Sequence, residues 1–100
     1  MLAYAFHPLA RMELDDAVEH YESVSPGKGR ELLQQLRASI NQIREYPESA
    51  PISRGSVRTI IVQPGTRWSY SVHYRIKQDL IRILAVSHHK QQPFYWFGRR

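Results

Sequence analysis

The chain has no cysteine, and that absence excludes several classes of protein. With no thiol among its 100 residues, the protein has no disulfide, no thiolate metal site and no cysteine nucleophile, so packing must hold the fold together. Long apolar runs are lacking as well: the longest, Ile83 to Val86, is far shorter than the roughly 20 residues of a membrane-spanning helix. The first residues, Met1 to Asp16, show no basic segment followed by an apolar one, which predicts no secretory signal and a cytoplasmic location.

Acidic residues are scarce in the second half of the chain. Residues 1–50 carry five Lys or Arg and eight Asp or Glu, a net charge of −3, whereas residues 51–100 carry nine Lys or Arg and Asp79 alone, a net charge of +8. This asymmetry favours a polyanionic or acidic partner for the second half, such as nucleic acid or a protein segment rich in Asp and Glu. A basic surface without a partner is the alternative.

What the chain does contain predicts one domain over residues 1–100, which begins with a strand and two helices. Hydrophobic side chains make up 42% of the sequence, enough for one compact core. Leu2–Phe6 is a short apolar run, and Pro8 favours the first turn of a helix. Apolar residues then recur at helical spacing over Leu9–Ser23. Ser25-Pro26 predicts the start of a second helix, which ends near Tyr46 because a proline follows.

The second half predicts strands. The β-branched run Val57–Val62 is followed by a turn at Pro64-Gly65, and Arg67–Ile76 alternates between apolar and polar side chains. A turn at Lys77–Asp79 precedes the largely apolar strand Leu80–Ser87. The predicted order is β-α-α-β-β-β. This is an α+β fold in which an antiparallel sheet carries the N-terminal helical hairpin on one face.

The alternation along the strand 67–76 predicts one apolar and one polar face of the sheet. The apolar residues Trp68, Tyr70, Val72, Tyr74 and Ile76 should pack against Leu14, Val18, Leu36, Ile40 and Ile43 of the helices. The other face would expose Arg67, Ser69, Ser71, His73 and Arg75, a surface suited to phosphates. The aromatic and basic C-terminal stretch suits single-stranded nucleic acid, although Trp96 and Phe97 are expected to close the core.

Catalytic groups are few. His88 and His89 offer acid–base chemistry, but adjacent strand residues point in opposite directions, so at most one reaches the polar face. His73 and these two residues do not make a zinc site without cysteine or nearby carboxylates, and no G-x-S-x-G turn or phosphate-binding glycine loop occurs. We expect no metal and no cofactor. The candidate residues for binding a partner or nucleic acid are Arg67, His73, Arg75, His88 and Lys90.

Four segments stand out by their order and spacing: Phe6–Leu14, Tyr46–Glu48, Trp68–Ile76 and above all Ile83–Trp96. Together they resemble the RelE/ParE superfamily of toxins from bacterial type II toxin–antitoxin modules, over nearly the whole chain. The resemblance implies the fold predicted above and a cognate acidic antitoxin whose C-terminal segment wraps and neutralises the toxin. It also implies a homodimer or a toxin–antitoxin hetero-oligomer.

The resemblance leaves the cellular target open. RelE-like members cleave mRNA in the ribosomal A site, whereas ParE-like members inhibit DNA gyrase and have no established hydrolytic site. The nuclease pattern matches Arg58, His89 and Tyr95, which would be catalytic only in a nuclease. It departs at Ser71, where it has an arginine, and near Ile60, where it has a lysine. These departures and the long helical hairpin slightly favour gyrase inhibition. Ribosome-dependent mRNA cleavage and a non-toxic module that only binds its antitoxin are the alternatives.

Overall fold

The computed structural model describes residues 1–100 and forms a single five-stranded sheet with a helical hairpin on one face. Its elements are β1 (Ala3–Phe6), α1 (Pro8–Val24), α2 (Lys28–Glu45), β2 (Ile52–Arg54), β3 (Val57–Ile61), α3 (Gly65–Trp68), β4 (Tyr70–Lys77) and β5 (Leu80–His88). The strand order is β1-β5-β4-β3-β2. The α+β class and the antiparallel meander β3-β4-β5 are confirmed, whereas β1 runs parallel to β5, so the sheet is mixed. None of the helices combines the length and the apolar character needed to cross a membrane.

One face of the sheet, which we call the helix side, carries the main core. Its 15 buried residues form one cluster that includes Trp68, Val72, Tyr74, Leu14, Leu36, Ile40 and Ile43, with Tyr70, Ile76 and Val18 packed against it. The predicted packing of the apolar strand residues on the helices is therefore confirmed.

The second helix begins later than predicted. Ser25 ends α1, and α2 begins at Lys28 after Gly27, whose φ of +90° suits a residue without a side chain. The Glu22 carboxylate accepts hydrogen bonds from backbone N–H groups at the start of α2. These bonds lower the pKa of Glu22, and they satisfy N–H groups at the helix start that have no partner within the helix.

The stretch predicted to begin the long strand instead forms the short helix α3. The carbonyl of Pro64 accepts hydrogen bonds from the N–H groups of Arg67 and Trp68, which closes a helical turn. Ser69 then has a φ of +56° and leads into β4. Trp68 still reaches the main core, where it is 1% exposed, but Arg67 and Ser69 do not belong to the strand face assigned to them. The short, exposed edge strand β2 was not predicted either.

An irregularity between β4 and β5 builds a small cluster on the opposite face, which we call the tail side. Tyr74 pairs with Ile83 and His73 with Ala85, so Leu84 is an extra residue in β5. Leu84 and Ala85 both pack in a second buried cluster with Val57 and Trp96. Trp96 belongs to the C-terminal tail, residues 91–100, which runs across this face.

Candidate functional site

The tail side is not the open polar surface that the sequence predicted. Trp96 is 2% exposed, and its indole stacks on the His73 imidazole with ring centroids 4.6 Å apart. Ser71, His73 and Ser87 are buried on this face. Burial of Trp96 is confirmed, whereas Phe97, also predicted to close the core, is 51% exposed.

The polar groups of this face can be buried because they bind one another. The Ser53 and Thr59 hydroxyls are 2.9 Å apart, and the Thr59 hydroxyl is 2.8 Å from Nδ1 of His73. Nε2 of His73 is 2.6 Å from the Ser87 hydroxyl. Burial lowers the pKa of His73 to about 4, so the ring is neutral at physiological pH.

A partly buried carboxylate binds the tail to α1. Glu13 accepts hydrogen bonds from the Tyr95 hydroxyl at 2.7 Å and from the two terminal nitrogens of Arg99 at 3.0 and 3.2 Å. It also accepts one from the backbone N–H of Val86 at 3.1 Å. Burial, and then the bond to Glu13, raises the pKa of Tyr95 well above its ordinary value, so the hydroxyl stays protonated. We call Glu13, Tyr95 and Arg99 the tail clamp.

The sequence pattern does not identify two members of the tail clamp, Glu13 and Arg99. Glu13 is not one of the apolar residues whose helical spacing indicates the buried face of α1, yet its side chain is only 19% exposed. Arg99 was one basic residue among nine in the second half. These two residues are 86 positions apart, and no local pattern relates residues at that separation.

A cavity of about 280 Å³ opens between the tail and the sheet. Its polar lining includes Ser53, Thr59, Ser71, Ser87, His89 and Gln91. Hydroxyl, imidazole and amide groups of this kind orient a polar ligand, and no carboxylate lines the cavity. No group of three or more His, Asp or Glu side chains is arranged to hold a metal ion.

The three candidate nuclease residues do not share one side of the sheet. His89 and Tyr95 line the cavity on the tail side, where Nε2 of His89 is 2.9 Å from the Ser71 hydroxyl. Arg58 lies directly opposite Tyr74, a main-core residue, and therefore points to the helix side. There its guanidinium donates to two backbone carbonyls of the loop between α2 and β2, at 3.0 and 2.8 Å. The sheet thus separates Arg58 from the other two residues.

Three of the residues predicted to bind a partner lie on β4 or at the end of β5. His73 is buried, so its expected exposure is wrong. Nδ1 of His88 accepts a hydrogen bond from the backbone N–H of Lys90 at 3.0 Å, and burial lowers the pKa of His88. Lys90 is exposed in the turn that follows.

The two arginines predicted to bind a partner have different surroundings. Arg67 forms an ion pair with Glu31 of α2, and its guanidinium lies 4.7 Å from the ring centroid of Trp68. Arg75 is half-buried on β4 and takes part in none of the three ion pairs of the fold. Of the two, only Arg75 therefore keeps an uncompensated charge.

The helix side has a more apolar groove of about 380 Å³ between β1, α1 and α2. Its apolar lining consists of Tyr4, Phe6, Leu14, Val18, Leu33 and Ile40. Charged residues of both signs, among them Arg37 and Glu19, complete the lining. A groove of this kind suits the apolar face of a peptide helix.

Comparison with known proteins identifies two similarities. The family model described as the ParE toxin of the type II toxin-antitoxin system parDE matches residues 4–93. Among solved structures, a chain of the chromosomal ParDE TA system from P. aeruginosa is similar, with a TM-score of 0.66 and 23% identity over 88% of this chain and 96% of that chain. At that identity the structural likeness shows the fold. No curated protein matches the sequence.

Proposed function

This chain belongs to the ParE toxin family of type II toxin–antitoxin modules, and on that premise we propose that it inhibits DNA gyrase and does not cleave RNA. The family match covers residues 4–93, which is nearly the whole fold. The protein is therefore the toxin of a type II pair and has a cognate antitoxin. Gyrase is the target implied by the resemblance to ParE-like members of the superfamily.

The separation of Arg58 from His89 and Tyr95 is the observation that carries the proposal. In-line attack by a ribose 2′-hydroxyl needs a base, an acid and a positive charge around one phosphate. Because Arg58 extends to the helix side, no single phosphate can contact all three side chains. The Tyr95 hydroxyl already donates its proton to Glu13, so it is not free to act as an acid.

The environment of Ser71 supports the same proposal. The nuclease pattern has an arginine at this position, whereas the hydroxyl here is buried and binds His89. A neutral hydroxyl stabilises the charge that develops on a phosphorane far less than a guanidinium does. The neutral His73 ring nearby supplies no positive charge in its place.

A toxin that does not cleave its target must bind it, and an exposed aromatic cluster beside the cavity offers anchors for a protein partner. The Arg54 guanidinium lies 5.0 Å from the ring centroid of Phe94 and 4.3 Å from that of Phe97. These two phenylalanines are 41% and 51% exposed. Because aromatic and arginine side chains supply much of the binding energy at protein interfaces, we assign Arg54, Phe94 and Phe97 to the gyrase-binding surface.

The helix-side groove is the proposed position for apolar residues of the antitoxin. An antitoxin segment needs apolar anchors for affinity, and this groove offers a larger apolar lining than the tail-side cavity. Tyr4, which lines this groove and is 41% exposed, is the residue to substitute in a test. Tyr4→Glu should weaken antitoxin capture at least tenfold in a pull-down with the co-expressed neighbouring reading frame and leave growth arrest intact. Unchanged capture would rule out the groove.

Two parallel assays on the purified toxin test the proposed target. We expect inhibition of supercoiling by purified gyrase and intact mRNA on translating ribosomes. Cleaved mRNA with normal supercoiling would establish the nuclease instead. The absence of both activities, in a preparation that still binds its antitoxin, would favour the non-toxic binding module.

A pair of variants tests the proposed contact surface in the same supercoiling assay. Phe97→Ala removes an exposed ring and should weaken gyrase inhibition about tenfold, the loss of one interface anchor. Val24→Ala, at a residue that is 63% exposed at the end of α1, is the matched control and should have no effect. Equal inhibition by both variants would remove Phe97 from the surface.

A further inference from the structure

Two arginines face each other on the tail side of the sheet, near the β4–β5 turn. Arg75 of β4 and Arg82 of β5 are directly opposite in the strand register. Arg82 lies between Ile81 and Ile83, which belong to the main core, so its side chain points away from the helix side. Like charges at directly opposite positions destabilise a pair of strands. The fold therefore maintains a repulsive pair here.

Neither guanidinium pairs with an acidic side chain. Arg82 donates to the backbone carbonyl of Phe6 at 2.9 Å and to the main-chain oxygen of Arg100, the last residue of the sequence, at 3.3 Å, and these contacts hold it in place. Arg75 and Arg82 are both half-buried, and neither takes part in an ion pair. Lys77, on the same face of β4 as Arg75, and Arg100 add exposed positive charge.

Two titratable groups at this end of the sheet, His7 and Asp79, form no ion pair with the arginines. Burial lowers the pKa of His7, and the positive charges of Arg99 and Arg82 lower it further, against an opposing effect of Glu13. Asp79, the one acidic residue of the second half, lies in the turn between β4 and β5 and forms no ion pair. Positive potential therefore persists at this end of the sheet.

We propose that Arg75, Lys77, Arg82 and Arg100 form a binding site for the phosphate groups of a DNA backbone. Guanidinium groups pair with phosphate oxygens through two parallel hydrogen bonds, and half-buried charges interact more strongly than fully hydrated ones. Backbone binding to nucleic acid needs positive charge but no apolar anchor. This surface fits that requirement, because neither β4 nor β5 has an exposed large hydrophobic residue. An acidic peptide, by contrast, would need such an anchor.

Fluorescence anisotropy with a labelled DNA duplex of about 20 base pairs tests the site without gyrase, so the result is independent of the proposed target. The wild type should bind at about 50 mM salt, and the logarithm of its affinity should fall with the logarithm of salt concentration with a slope near −3 to −4, as expected for about four phosphate contacts. Arg75→Gln should lower the affinity about tenfold and reduce the slope by about one. Arg75 has no intramolecular partner, so this change does not threaten folding.

Arg37→Gln is the matched control, because it removes one exposed charge from α2 on the helix side. It should change the affinity for DNA less than about twofold and leave the slope unchanged. Equal losses in the two variants would mean diffuse attraction and overturn the site, as would the absence of binding at low salt. A loss for Arg75→Gln with the antitoxin but not with DNA would assign the surface to the antitoxin instead.

Discussion

On the helix side of the sheet, 15 buried residues share one apolar cluster, whereas the tail side has four buried apolar residues and depends on hydrogen bonds for the rest. The first face gains stability in proportion to buried area, with little dependence on the direction of any contact. The second face depends on the hydrogen bonds of His73 with Thr59 and Ser87 and on the tail clamp. In both, each group requires a particular partner. Removing one partner there leaves another buried polar group unsatisfied.

Truncating a helix-side residue should have the largest effect. Leu36 is fully buried in the main core, so Leu36→Ala should lower the free energy of unfolding by about 4 kcal/mol through lost apolar contacts and the cavity left behind. Urea denaturation measures the change. Leu9→Ala, at a residue that is 46% exposed, is the control and should cost far less. Similar costs for the two variants would show that the helix side is not closely packed.

Acid should weaken the tail side through His73. Its pKa of about 4 in the folded protein lies below the ordinary value of 6.5, so the unfolded chain binds this proton more readily. The neutral His73 ring makes its full contribution to the free energy of unfolding above pH 6.5. This contribution, about 3 kcal/mol in total, is lost as the pH falls toward 4. Glu13 favours protonation of the ring, whereas His89 and Arg99 oppose it.

Denaturation curves of two histidine variants between pH 4 and 7 test this expectation. His73→Gln should flatten the pH dependence over that window, leaving the smaller contributions of His7 and His88, whose pKa values are also lowered. His20→Gln changes an exposed histidine and should leave the dependence as in the wild type. A wild-type slope in His73→Gln would place the titrating group elsewhere.

Breaking the tail clamp should have a smaller effect that is confined to the tail. Glu13→Gln leaves Arg99 without its ionic partner and should cost about 2 kcal/mol. Hydrogen exchange should accelerate at the N–H groups of Phe97 and Arg99, which bond within the tail, and remain slow in β4. Asp15→Asn breaks the exposed pair with Arg11 and should cost less than about 0.5 kcal/mol. Equal losses of unfolding free energy in the two variants would mean that burial does not strengthen the contacts of the tail clamp.

The helix side could be predicted from the sequence because its signal is local. Apolar residues at helical spacing, such as Leu36, Ile40 and Ile43, and the alternation from Tyr70 to Ile76 identify the residues that meet in the core. Some errors lie at element ends, where the Glu22 carboxylate and the α3 turn override the expected pattern. The others concern the sheet itself, namely the parallel pairing of β1 and the short edge strand β2.

The tail side could not be predicted in the same way, because its contacts join distant parts of the chain. Polar residues on an alternating strand indicate solvent, but His73 is buried by Trp96, which lies 23 positions later in the sequence. The side of the sheet on which Arg58 lies depends on which residues of β3 face the core. Because β-branched residues occupy both faces of this short strand, the sequence does not indicate which face is buried.

Growth arrest by the His89→Gln variant, with expression matched to the wild type, tests most directly the claim that this toxin does not act as a nuclease. In our account His89 contributes a contact with Ser71 and no proton transfer, so the variant should arrest growth within a few-fold of the wild type. A general acid or base contributes about 10²-fold or more to catalysis. A loss of toxicity of that size, in a variant that still folds and still binds its antitoxin, would contradict the account.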